Sequence, residues 1–329
     1  MYRRRRTRAT ALLLVALASP VQAREGGPPP DLEAFRAASQ AYADSANSGP
    51  LQPGCAAAFV PAQAQRHGAV LALHGFGGCP QQFEGLAPRL AAAGFDVLVP
   101  RLPGHGRPPG PEGAEDLAGL PTGGDWQQRY DGFVATVDGL LARSPGERVL
   151  LGFSAGGALA LRAVAREPRR HDRLILLAPM IGIRGGASVE WLAWQLGRVP
   201  GMAALDVKHF GPRAQCEAWQ AAGRGGFCGY EVQHAAGLVG LARATRADWE
   251  ARALPLATRV VLAGGEHYVS NPAALRFVER QRELGATIDV TTLPAVPHEM
   301  LTRFENVGQE MPWLEELEAA VTAAVAGGR

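Results

Sequence analysis

The sequence predicts an α/β fold: a mostly parallel sheet with helices on both faces and a cap inserted late in the chain. Three observations lead there. Short apolar runs at 69–74, 95–102, 148–153, 173–179, 259–264 and 287–294 alternate with helical patterns. The runs are continuously apolar, as strands covered on both faces must be. About 80 residues separate the run ending at Pro179 from the one starting at Arg259, far beyond the usual connection of roughly 2–6 residues. That interval must hold structure of its own. The composition agrees: 47% hydrophobic and 19% charged residues over 329 positions supply a sizeable core and exclude a disordered, collagenous or coiled-coil chain.

Taken in order, the chain opens on an Arg-rich segment, 1–8, followed by a short apolar stretch from Ala9 to Pro20. Val21-Gln22-Ala23 then puts small residues where a signal peptidase reads them. We expect residues 1–23 to be a signal peptide, cleaved after Ala23, with export to the periplasm or beyond. An uncleaved anchor is the alternative, but the run falls short of the roughly 20 residues that cross a bilayer. No other stretch is apolar for long enough, so no stable membrane span is expected after cleavage. Cleavage removes Arg3, Arg4, Arg5, Arg6 and Arg8. The formal charge of +2 then becomes −3, because 33 basic residues fall to 28 against 31 acidic ones. Such a chain has no electrostatic case for binding nucleic acid.

Residues 24–54 are rich in Pro, Gly, Ala and Ser and form a lead-in with one helix at 31–46. The core is expected over 55–179 and 259–329, with the cap at 180–258 and a possible extra strand at 55–60. Helical patterns lie near 80–93, 125–143, 156–167, 272–284 and 312–325. Gly94 and Gly285 stand where a helix needs a left-handed residue past its end. The cap interval contains Trp191, Trp194, Trp219 and Trp249. Two readings of them stay open: they line a hydrophobic substrate site, or they pack the cap's own small core. Cys55, Cys79, Cys216 and Cys228 are too widely spaced for a CxxC motif. In an exported chain, proximity favours Cys55–Cys79 and Cys216–Cys228, with four buried thiols as the alternative.

The chemistry centres on Gly152-Phe153-Ser154-Ala155-Gly156, a G-x-S-x-G with an apolar strand before it and a helix after it. The glycines permit a sharp turn that holds a serine hydroxyl clear of the backbone, and the helix start offers amide donors beside it. His74-Gly75-Phe76-Gly77-Gly78 closes an earlier strand. The backbone amides of Phe76 and Ala155 are the candidate oxyanion donors. A serine hydroxyl needs a base. His298, on the loop after the last strand, is placed for it, whereas His74 and His105 sit in turn motifs that suit structural hydrogen bonds. The chain order Ser, acid, His asks for a carboxylate after the penultimate strand, and Glu266 is the one on offer there.

With these residues in view, the chain resembles an α/β-hydrolase of the monoacylglycerol lipase, lysophospholipase and carboxylesterase group, sometimes classed with serine aminopeptidase-like hydrolases. The resembling segments are HGFGG (74–78), PRLPGHG (100–106), DW (125–126), GFSAGG (152–157) and PHEML (297–301). The resemblance implies an α/β-hydrolase fold. It puts the nucleophile on Ser154, the base on His298 and the oxyanion donors on Phe76 and Ala155. Where such proteins usually carry Asp in D-x-x-V, this chain has Glu266-His267-Tyr268-Val269. The implied activity is hydrolysis of hydrophobic or lipid-like carboxylic esters through an acyl-enzyme, with no metal or organic cofactor and a small-molecule or lipid ester as partner. The alternatives are amide or peptide hydrolysis on the same triad, and a non-catalytic binding protein on the hydrolase fold. Oligomeric state and physiological substrate stay open.

Overall fold

The computed structural model describes residues 31–110, 115–209, 213–306 and 308–327, except the side chains of 208–216. The expected signal peptide lies outside the described residues. A seven-stranded sheet runs through the middle of the molecule. In chain order its strands are β1 (Ala58–Val60), β2 (Gly68–Leu73), β3 (Phe95–Val99), β4 (Glu147–Phe153), β5 (Arg173–Leu177), β8 (Ala257–Gly265) and β9 (Ile288–Pro297). In space the order is β1-β3-β2-β4-β5-β8-β9. Only the short edge strand β1 is antiparallel, so the sheet is mostly parallel. This is the α/β architecture anticipated from the alternation of apolar runs and helices.

The central strands are buried on both faces, and successive side chains feed two separate cores. Leu71, Leu73, Leu150, Leu174 and Leu176 point into one. There they meet α1 (Leu32–Ala46), α3 (Trp126–Leu141), α4 (Ala155–Arg166), α7 (Val232–Trp249) and α8 (Asn271–Glu283). Val70, Ala72, Val149, Leu151, Ile175 and Leu177 point into the other, against α2 (Leu86–Ala92) and α9 (Leu314–Ala326). The edge strand β9 departs from the expected pattern. Most of its residues are at least partly exposed, because it is the last strand of the sheet and one flank has no strand beside it.

Local chemistry sets the element ends. Asp31 caps α1 by accepting the Glu33 amide at 2.9 Å. Gly94 and Gly285 take φ of 88° and 93°, the left-handed conformation that the sequence assigns them. β3 stops at Val99, earlier than the apolar run, since Pro100 has no N–H for the ladder. The helical pattern at 80–93 resolves into a short 3₁₀ turn, Pro80–Phe83, followed by α2.

Between β5 and β8 lie α5 (Gly186–Leu196), β6 (Asp206–His209), α6 (Arg213–Ala221), β7 (Gly229–Glu231) and α7. β6 and β7 pair as a separate antiparallel ribbon. α7 packs as a core helix: Leu241, Ala242 and Trp249 are buried in the main cluster, and the Trp249 indole donates to the Leu161 carbonyl at 3.1 Å. The four tryptophans of this interval therefore divide. Trp249 belongs to the main core, Trp194 is partly buried against it, Trp219 is buried in a small cluster with Cys228, and Trp191 is 57% exposed. Cys55 and Cys79 form a disulfide with Cα atoms 4.8 Å apart. Cys228 is also disulfide-bonded. Its expected partner Cys216 has a side chain outside the described ones. No helix among the described residues is long and apolar enough to cross a membrane.

Candidate active site

Four segments converge at the carboxyl ends of the strands, the usual place for a site on an open α/β sheet. The first is the turn from β4 into α4. Ser154 has φ 53° and ψ −118°, a strained conformation for a residue with a side chain. It is held there by its own backbone, whose N–H donates to Leu177 O at 2.9 Å and whose carbonyl accepts the Met180 amide at 2.9 Å. The flanking glycines are sterically required. A Cβ on Gly152 would lie 2.5 Å from Gly156 O, and one on Gly156 would lie 2.0 Å from Leu73 O. The strand–helix pair thus closes against the end of β2 only because both positions lack a side chain. Ala155 begins α4, where an N–H has no intrahelical acceptor.

The second segment is the loop after β2. A Cβ on Gly75 would come 3.2 Å from Ser154 Cβ, so this backbone runs directly alongside the serine. Every polar backbone group beside Phe76 is anchored. Gly75 N donates to Gln82 Oε1 at 2.8 Å, and Gly77 N donates to His105 Nε2 at 3.4 Å. His74 accepts the Leu102 amide at Nε2, 3.0 Å, so its proton sits on Nδ1 and is donated to Gly75 O at 2.9 Å. Two buried neutral imidazoles therefore hold this loop, the structural role expected of turn histidines.

The third and fourth segments are the ends of β8 and β9. Their parallel ladder slips between Ala263 and Gly265: Ala263 pairs with Leu293, but Gly265 pairs with Pro297. The extra length on β9 bulges at Ala295, which has φ 57°. This slip brings Glu266 and His298, the next residues on each strand, side by side. Glu266 Oε2 lies 2.6 Å from His298 Nδ1, and His298 Nε2 lies 3.0 Å from Ser154 Oγ. Glu266 Oε1 accepts the amides of Tyr268 at 2.7 Å and Val269 at 3.0 Å. The longer Glu side chain thus spans from its own turn to the imidazole. The rings of Phe153 and Tyr268 pack against His298, with centroids 5.1 and 5.2 Å away. Burial pushes the Glu266 carboxyl up, but the hydrogen bond from His298, its charge and the two amides together hold it below the usual carboxylate range.

A cavity of about 530 Å³ opens over Ser154 and His298. Its apolar lining includes Phe76, Met180, Ile183, Val189 and Leu238. Its polar lining includes Gln82, Arg224, Glu299 and Glu305. Of these, Glu299 falls in the PHEML segment beside His298, and the other three carry no sequence signal. The four come from three distant segments, and no motif marks Gln82, Arg224 or Glu305.

The neutral histidines have a consequence for acid stability. Burial drives the His105 pKa down to about 4, and His74 falls in the same direction for the same first reason. An unfolded histidine takes up its proton near 6.5, so the folded state loses ground as pH drops from there toward 4. For His105 alone the loss reaches about 3 kcal/mol by pH 4. Urea unfolding between pH 7 and pH 4 should show the wild type losing stability more steeply than His105→Gln; equal slopes would contradict the neutral assignment.

Residues 64–305, well over half of the chain, match the family described as serine aminopeptidase, S33. The chain belongs to this family. Its fold is that of the α/β-hydrolases, as its likeness to solved members of that fold shows. A metagenome-derived lipolytic enzyme of the LipS and LipT pair superposes with a TM-score of 0.62 at 20% identity, covering 85% of this chain and all of that one. The monoacylglycerol lipase of Paleococcus ferrophilus superposes at 0.59 and 17% identity, covering 83% of this chain and 98% of that one. Among curated relatives, the pimeloyl-[acyl-carrier protein] methyl ester esterase of Aromatoleum aromaticum is 36% identical over 105 residues, 32% of this chain. That of Neisseria meningitidis serogroup B is 32% identical over 109 residues, 33% of this chain. The chain spans about a third of the length of these curated relatives. Within this S33 chain, Ser154, His298 and Glu266 meet in one hydrogen-bonded line, with the Phe76 loop and the Ala155 amide beside them.

Proposed function

We propose that the chain hydrolyses carboxylic esters through an acyl-enzyme on Ser154. The observation that carries this reading is the unbroken line from Glu266 Oε2 through His298 to Ser154 Oγ, at 2.6 and 3.0 Å. Ser154 Oγ attacks the ester carbonyl carbon and its proton passes to His298 Nε2. Glu266 faces the imidazolium that forms and keeps Nδ1 protonated. The Phe76 and Ala155 amides receive the developing oxyanion. His298 returns the proton to the departing alcohol, and a water activated by the same imidazole then releases the acid.

The apolar side chains lining the cavity suit a hydrophobic acyl chain, in line with the lipolytic and methyl ester esterase descriptions of proteins it resembles. An aminopeptidase, as the family description has it, would need a free carboxylate to receive a substrate ammonium. Both acidic side chains that line the cavity are already engaged: Glu305 pairs with Arg224 at 3.0 Å, and Glu299 with His267 at 3.5 Å. Ester hydrolysis is therefore preferred over aminopeptidase action. Export is part of the same proposal, since a Cys55–Cys79 disulfide suits an oxidising compartment.

The test is a panel of nitrophenyl esters of graded acyl length set against aminoacyl amides, with fluorophosphonate labelling mapped to its peptide. Ester turnover rising with acyl length, and label on Ser154, are expected. Faster amide cleavage would reverse the substrate class, and an unlabelled serine would leave a binding protein as the reading.

A further inference from the structure

Beside the triad lies a buried ion pair to which the mechanism above assigns no part. Arg224 and Glu305 have side chains only 5% and 4% exposed. Arg224 belongs to the cap segment between α6 and β7, and Glu305 to the segment between β9 and α9. The guanidinium is fully spread. Nε donates to Glu305 Oε1 at 3.0 Å, one terminal nitrogen to Phe227 O at 3.3 Å and the other to Gly77 O at 3.1 Å. Glu305 in turn accepts the Gln82 side-chain amide at both oxygens, 3.2 and 3.1 Å. The Gln82 carbonyl then accepts Gly75 N. The relay thus starts at Gly77 O and ends at Gly75 N, the two residues that bracket Phe76.

The surrounding backbone is built to bring the cap onto this loop. Phe227 N donates to Gly77 O at 3.2 Å, Gly226 N to Gln52 Oε1 at 2.8 Å and Gly225 N to Gln81 Oε1 at 3.0 Å. The approach is too close for side chains. A Cβ on Gly226 would stand 2.2 Å from Gly77 O, and one on Gly225 would stand 2.6 Å from the Cys55 sulfur. The Trp219 ring lies 5.4 Å from the guanidinium carbon and limits its swing.

A buried ion pair of this kind is poor value as a source of stability. Desolvating two charges costs about what their attraction returns, and apolar residues of the same shape often do as well. What apolar residues could not do is reach three fixed acceptors in one plane, which the guanidinium fork does.

We propose that Arg224 is a positioning residue: through Gly77 on one side, and through Glu305 and Gln82 to Gly75 on the other, it sets the direction of the Phe76 N–H toward the oxyanion. The cap is then part of the catalytic geometry as well as a cover for the cavity. This rests on the ester-hydrolase reading, in which Phe76 is an oxyanion donor. Arg224 itself touches no reacting atom. A displaced donor weakens the transition state more than the bound substrate, so the effect falls on kcat.

The test uses Arg224→Lys, which keeps a charge beside Glu305 but cannot span all three acceptors. The double variant Arg224→Met with Glu305→Gln removes both charges, so that neither is left buried alone. With a nitrophenyl acyl ester, kcat should fall roughly 10- to 100-fold in both variants with KM little changed. Affinity for a trifluoromethyl ketone, which forms a tetrahedral oxyanion adduct on the serine, should fall by the same factor as kcat/KM. Wild-type kcat in either variant, whatever happens to the melting temperature, overturns the inference. So does a kcat loss that leaves trifluoromethyl ketone affinity intact. A wild type that turns over no ester overturns the ester reading and this inference with it. An active wild type with unaffected variants overturns this inference alone.

Discussion

Ser154→Ala is expected to lower kcat on a nitrophenyl ester by about 10⁶-fold while the protein folds as before. The size follows from the arrangement. In the proposed reaction the hydroxyl oxygen attacks, and it lies 3.0 Å from His298 Nε2, its side-chain partner among the described residues. Without it, the imidazole and the oxyanion donors can act only on water. The stability change should be small, within about 0.5 kcal/mol, because the strained turn is held by the Ser154 backbone bonds to Leu177 and Met180 rather than by the hydroxyl. Turnover and thermal melting on the same preparation check both halves. Retention of more than a trace of activity would move the nucleophile elsewhere.

Glu266→Gln is expected to lower kcat by about 10⁴-fold, with KM and stability much less affected. The reason is specific to this turn. Oε1 of Glu266 is occupied by the Tyr268 and Val269 amides, both donors. A glutamine there must turn its carbonyl oxygen toward them, which leaves its NH₂ facing His298 Nδ1. Nδ1 must then accept, and the ring proton moves to Nε2, where it points at Ser154 Oγ and blocks proton removal. Glu266→Asp keeps an acceptor at Nδ1 and should lose less than the amide, although its shorter reach cannot serve both the turn and the imidazole. Near-wild-type kcat in Glu266→Gln would show that another group orients His298.

Much of this architecture can be read from local pattern. Continuous apolar runs identify the central strands because both faces of a parallel sheet are covered, and the expected and observed strands coincide at β2, β3, β4, β5 and β8 to within a few residues, whereas the ribbon β6–β7 had no such run. Errors gather where tertiary context intervenes. β9 runs on to Pro297 because its partner β8 slips register, and that slip leaves no trace in composition. Ser154, His298, Glu266, Phe76 and Ala155 can be singled out because each sits at a strand end or in a glycine-dependent turn. Gln82, Arg224 and Glu305 cannot. Each is an ordinary polar residue, and only the Gly225-Gly226 pair after Arg224 hints that backbone passes close to something.

Taken alone, the sequence determined the layered α/β plan, the elbow serine and the order of its candidate partners. Periodicity, glycine placement and strand-end position are local properties, and a chain carries them wherever it folds. Tertiary structure alone decided that Glu266 and His298 end as neighbours across a bulged ladder. It also decided that Arg224, between α6 and β7, closes a relay onto both sides of Phe76. Those contacts join residues far apart in the chain, so they follow from register and packing, which no single segment encodes.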